Sequence, residues 1–92
     1  MALVHAQFTL SNVTATQICG ADNMSHDVLV RNYEHGSSHY VYVGNSNVSA
    51  ANGFDVAPGE TVRFTLAPND QLFAIGGGNG YECAMFDMRQ ND

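Results

Sequence analysis

The sequence predicts an all-β fold: a single small antiparallel β-sandwich or flattened barrel of six to eight strands, with the jelly roll among the forms it admits. Three observations carry that expectation. Apolar residues recur with a period of two rather than the roughly 3.6 of a helix. Turn-forming residues interrupt these runs at short intervals. No segment joins a helix cap to a sustained amphipathic face.

The clearest strand is Glu60-Thr61-Val62-Arg63-Phe64-Thr65-Leu66, where Val62, Phe64 and Leu66 share one face and Thr61, Arg63 and Thr65 the other. That alternation marks an antiparallel strand with one buried face. Residues 39–43 (His-Tyr-Val-Tyr-Val) are rich in aromatic and β-branched side chains, which suit a pleated surface. Further strands are expected over 28–32, 71–75 and 81–88, with weaker ones over 3–10 and 13–19. The core should be led by Val28, Val30, Val41, Val43, Val62, Phe64, Leu66 and Leu72.

The turns have identifiable chemistry. In Ala57-Pro58-Gly59-Glu60, proline presets φ and glycine supplies a positive φ, the requirements of a type II turn. Ala67-Pro68-Asn69-Asp70 repeats the device with asparagine in the permissive position. Gly76-Gly77-Gly78-Asn79-Gly80 reads as a hairpin loop joining the last two strands, and Gly36-Ser37-Ser38 as another hairpin. The longer segment 44–55 is expected to cross between sheets.

Length confines the chain to one domain, residues 1–92, with 1–11 as an extended arm or a first strand. Nine acidic residues against three arginines and no lysine give a net charge of −6. Phosphate backbones and anionic lipid surfaces are held mainly by Lys and Arg, so neither nucleic acid nor membrane is expected as a partner. The amino-terminal residues lack a basic region followed by a long apolar run, so no secretory signal is expected. Cys19 and Cys83 match no zinc-ligand spacing; they read as buried apolar residues that could at most form one bond.

No constellation for catalysis is legible. There is no Gly-x-Ser-x-Gly elbow, and the glycine run lacks the Lys-Ser/Thr ending and following helix of a phosphate loop. Glu34, His35 and His39, with His26 or Asp27, have the ligand types for zinc or nickel. Their loose spacing around a loop makes them solvated polar residues instead, so no metal, cofactor or enzymatic activity is expected.

Several strands carry apolar residues on both faces. Leu29 lies opposite Val28 and Val30, Phe73 and Ile75 opposite Leu72 and Ala74, and Phe86 and Met88 opposite Met85. One small core cannot take both faces, so the second face is covered either by a closed barrel end or the amino-terminal strand, or by a subunit interface formed by Leu29, Phe73, Ile75, Phe86 and Met88. The alternation of Val4, Phe8 and Leu10 suggests an amino-terminal strap that adds to a neighbouring sheet edge. A second candidate surface, for a carbohydrate or receptor, comprises Tyr40 and Tyr42 beside Asn45 and Asn47.

The progression Val41-Tyr42-Val43-Gly44, Ser46-Asn47-Val48, Asn52-Gly53-Phe54, Val56-Ala57-Pro58-Gly59-Glu60 and Leu72-Phe73-Ala74-Ile75 resembles a small all-β domain of tailed-bacteriophage structural proteins. Ala15-Thr16-Gln17-Ile18 and Val28-Leu29-Val30-Arg31-Asn32 resemble that domain's first strands. The resemblance spans most of residues 14–88 and rests on turn and strand motifs. It implies a non-enzymatic virion component that decorates and cements a capsid. Its expected partner is the phage major capsid protein, and the expected assembly a homo-oligomer, with a trimer favoured. The location implied is the capsid surface, after synthesis in the host bacterial cytoplasm. The alternative it allows is a receptor-binding tip module of a head or tail fibre. The extra amino-terminal segment and the histidine-containing loop depart from the pattern.

Overall fold

Eight strands form, and their pairing is nested. β1 (Ala2–Thr9) pairs with β8 (Glu82–Arg89), and β2 (Thr16–Cys19) with β7 (Leu72–Gly76). β3 (His26–Asn32) pairs with β6 (Thr61–Leu66), and β4 (Val41–Gly44) with β5 (Phe54–Val56). All pairs are antiparallel. The computed structural model describes residues 2–36 and 38–89, with side chains described within 5–36 and 38–88.

Two further pairings, β3 with β8 and β4 with β7, gather the strands into two 4-stranded sheets ordered β1-β8-β3-β6 and β2-β7-β4-β5. The chain is therefore one long two-stranded ribbon, turned at the β4–β5 loop and rolled so that successive arms alternate between sheets. That is the jelly-roll form of the predicted sandwich, and it does not close into a barrel.

This topology corrects three loop expectations. The segment 44–55 does not cross between sheets: it joins β4 to β5 within one sheet and contributes the unpredicted strand β5. Conversely, the connections at 36–38 and 76–80 are not hairpins. Each carries the chain from one sheet to the other, β3 to β4 and β7 to β8. Turn residues specify a local reversal, whereas the strand met afterwards is chosen by burial across the whole fold. Ser37 lies outside the described residues.

The two Ala-Pro turns have the expected backbone. Gly59 has φ 77° and Asn69 φ 70°, and Glu60 N–H donates to Ala57 O (2.9 Å) as Asp70 N–H does to Ala67 O (3.1 Å). In each turn the acidic side chain folds back to accept the first residue's N–H, at 2.9 Å for Glu60 and 3.2 Å for Asp70. Both turns act as corners between sheets.

The core lies between the sheets. Ile18, Val28, Val30, Val41, Val43, Val56, Leu66, Leu72, Ala74 and Met85 fill it, with Val62 and Phe64 packed half-buried at its margin. Each fully buried Val or Leu contributes about 1.5–3 kcal/mol of transfer free energy. Among the described residues His26, Asn32 and Asp87 are the buried polar side chains, and Asn32 serves the backbone. Asn32 is fully buried; its amide donates to His39 O (2.7 Å) and Val56 O (2.9 Å), and its Oδ1 accepts Glu34 N–H (2.9 Å).

Residues 2–9 form the first strand of the chain's own sheet rather than a free arm. The register puts Ala6 opposite Met85 and Phe8 opposite Cys83, so the expected strap face turns inward. Phe8 packs against the core and Leu10 is 1% exposed within it. The side chain of Val4 lies outside the described residues.

Candidate functional site

Antiparallel register shows which side chains share the outer face of the first sheet. One row across it reads His5, Phe86, Leu29, Arg63; the next reads Gln7, Ala84, Arg31, Thr61. Met88 and Asp27 stand beside them on the same face. Leu29, Phe86 and Met88 are half-buried, and the flanking His5, Gln7, Arg31, Arg63 and Thr61 are exposed. The result is a shallow apolar groove of about 340 Å³ with a polar border, lined by His5, Gln7, Leu29, Arg31, Ala84 and Phe86 among others. Polar residues on this face tie to each other across strands. Asp27 accepts bonds from the Arg63 guanidinium and from Thr65 Oγ1 (2.8 Å), and these hold its carboxyl below the usual range, Arg63 having the larger effect.

The remaining interface candidates are divided. Phe73 is half-buried on the outer face of the second sheet, in register with Gln17 and Gly44. Ile75 sits on that face opposite Tyr42 but is only 5% exposed, so like Leu10 it offers little to a second chain. Among the described side chains of the eight residues expected at an interface, Leu29, Phe86 and Met88 come together on the outer face of the first sheet.

Asn45 and Asn47 line a dimple of about 310 Å³ with Gly44, Val48 and Asn52. Their polar groups largely serve the loop: Asn45 Oδ1 accepts Asn47 N–H (2.8 Å), and Asn47 O accepts the Asn52 amide (3.3 Å). Tyr42 lies on the outer face of β4, opposite Ile75 and Asp55, and is not among the residues lining the dimple. Tyr40 precedes that strand, half-buried.

The loop set considered for a metal does not converge. Glu34 accepts a hydrogen bond from His39 Nδ1 (2.9 Å) and, through its other oxygen, from Glu82 N–H (2.9 Å). Those bonds, His39's first, lower the Glu34 pKa. The His39 ring stacks on Tyr81 at 4.4 Å, closing one end of the sandwich. His35 is exposed beside Tyr33, and His26 lies elsewhere, buried.

A different polar group forms inside. Cys19 on β2, His26 on β3 and Asp87 on β8 are all buried, and one donor atom from each lies within 4.8 Å of the others. No local motif announces this group. The legible signal was phase: Asp87 falls on the same strand face as Cys83 and Met85, and His26 on that of Val28 and Val30. Cys83 is also buried, and burial pushes its thiol up to about 12. Cys19 and Cys83 are not joined in a disulfide.

No family model matches the chain, and no curated protein matches it. Among solved structures it is similar to a protein of the Bacillus endospore appendages, described as a novel family of disulfide-linked pili. The TM-score is 0.60 at 16% identity, over 98% of this chain and 87% of that one, a likeness of fold alone.

Proposed function

We propose that the chain is a non-enzymatic structural subunit of a repeating protein assembly, with the outer face of the first sheet as its contact surface. The observation that carries this is the Leu29–Phe86–Met88 patch, apolar at its centre and bordered by His5, Gln7, Arg31 and Arg63. An apolar centre depleted of charge with a polar rim is the anatomy of a protein–protein interface. Beside it runs β1, an eight-residue edge strand with no Lys, Pro or acidic residue to discourage a neighbouring strand.

Within this class the leading role is decoration of a tailed-phage capsid, as an oligomer seated on the major capsid protein. The sequence resemblance supports it, and jelly rolls recur among viral capsid domains. The likeness to an appendage protein favours a second role, as a subunit that assembles into a fibre. That neighbour's pili are disulfide-linked, whereas both cysteines here are buried, so contacts between copies would be non-covalent.

Light scattering and negative-stain microscopy of the purified protein, alone and mixed with undecorated capsids, separate the roles. Discrete oligomers that coat capsids support decoration, and filaments formed by the protein alone support the fibre. A monomer at high concentration that binds no capsid overturns both.

A further inference from the structure

We infer that Cys19, His26 and Asp87 form a zinc site that clamps the two sheets together at one end of the sandwich. The three residues supply sulfur, nitrogen and oxygen, the donor types zinc takes in tetrahedral sites. Cys19 Sγ lies 3.6 Å from His26 Nε2 and 3.4 Å from Asp87 Oδ2, and His26 Nε2 lies 3.7 Å from Asp87 Oδ1. Bond lengths of about 2.0–2.3 Å at tetrahedral angles put zinc's ligand atoms roughly 3.4–3.6 Å apart. The sulfur and the ring nitrogen are thus spaced as two zinc ligands are; the carboxylate meets them through different oxygens, and its rotation would bring one oxygen to both.

Two features of the backbone and ring aim these donors. The β2–β7 register slips between Gln17 and Cys19, and both Ile18 and Cys19 are buried. Regular alternation would turn Cys19 outward once Ile18 points in; the bulge re-aims its sulfur into the interior, a common use of bulges beside sites. His26 presents Nδ1 to the Met24 carbonyl at 3.2 Å. A carbonyl only accepts, so Nδ1 carries a proton, and Nε2 is the nitrogen facing Cys19 and Asp87. A ligating histidine is commonly held through its other nitrogen in this way.

The same geometry argues against a Cys-His-Asp catalytic triad. There the carboxylate orients the ring through Nδ1, opposite the nitrogen facing the nucleophile. Here Asp87 and Cys19 both face Nε2, and the sulfur is 2% exposed, beyond a substrate's reach. Binding displaces the Cys19 thiol proton to solvent and joins β2 of one sheet to β3 and β8 of the other.

The test is refolding with one equivalent of cobalt(II), as a spectroscopic substitute, or of zinc. Cobalt should give intense tetrahedral d–d bands and a thiolate charge-transfer band at one ion per chain, and zinc should raise Tm by at least about 5 °C. Cys19→Ser should abolish the charge-transfer band, and Asp87→Asn should weaken affinity at least about 100-fold. Glu34→Gln and His39→Gln should leave binding unchanged. If Cys19→Ser fails to fold, a band retained in Cys83→Ser assigns the sulfur to Cys19 by elimination, and a band lost there overturns the site. The site is equally overturned if wild type shows no thiolate band, if the band survives Cys19→Ser, or if Glu34→Gln removes it.

Discussion

The Asn32 side-chain amide donates to the Val56 carbonyl at 2.9 Å, joining the end of β3 in one sheet to the end of β5 in the other. The same amide donates to His39 O just before β4, and Asn32 Oδ1 accepts Glu34 N–H. One fully buried side chain thereby satisfies backbone groups from three segments that would otherwise be left desolvated.

Asn32→Ala should therefore cost about 3 kcal/mol, more than a single net hydrogen bond, because buried carbonyls lose their donor. Asn32→Asp should be worse at neutral pH, since it turns acceptor oxygens toward the carbonyls of His39 and Val56. Urea denaturation of the two variants checks both the magnitude and the order.

The cysteines should be inert in the folded chain. Cys83 is fully buried with its thiol raised to about 12, so almost no thiolate exists near neutral pH, and Cys19 is 2% exposed. A colorimetric thiol reagent should detect neither residue under native conditions and both after unfolding in denaturant without reductant. A native reaction faster than global unfolding would show that one end of the sandwich opens locally.

Stability should fall on acidification partly through Glu34. His39 and the Glu82 N–H stabilise its carboxylate, so its folded pKa lies below the unfolded value. A depressed carboxyl adds stability above its unfolded pKa, and that contribution disappears as pH falls through the folded pKa. Melting curves from about pH 6 to about pH 3 should show Glu34→Gln less stable than wild type at the upper end, with the gap closing below the ordinary glutamate pKa near 4.3. The group is partly exposed, so the gap should be modest.

Leu29→Ser and Phe86→Ser should weaken association while leaving the subunit folded. Both side chains are half-buried on the outer sheet face, in register with each other, and neither belongs to the core cluster. Light scattering should report smaller species, with Tm within a few degrees of wild type. An unchanged oligomer would move the contact surface elsewhere, with Phe73 on the second sheet or the β1 edge as the next places to probe.

Much of the strand content was legible because it is local. Alternation placed Val28, Val30, Val41, Val43, Leu66 and Leu72 inside, and proline with glycine or asparagine marked both positive-φ corners. β5 escaped notice: it has three residues, two of them exposed, too short for a period to register. The Cys19–His26–Asp87 group escaped for two reasons. Asp87 lies far along the chain from Cys19 and His26, and the bulge in β2 broke the alternation that would have assigned Cys19 a face.

By itself the sequence determined the fold class, all the strands but β5, the corner turns and most of the core, since each depends on neighbours a few residues away. Only the tertiary structure decided that β1 meets β8 and β2 meets β7, that glycine-rich loops switch sheets, and that Leu10 and Ile75 are buried while Leu29 and Phe86 remain on the surface. The physical reason is that turn chemistry and side-chain alternation are short-range. Strand partnership is chosen by which nesting of the whole ribbon buries two apolar faces against each other, and that choice is made by all the strands together.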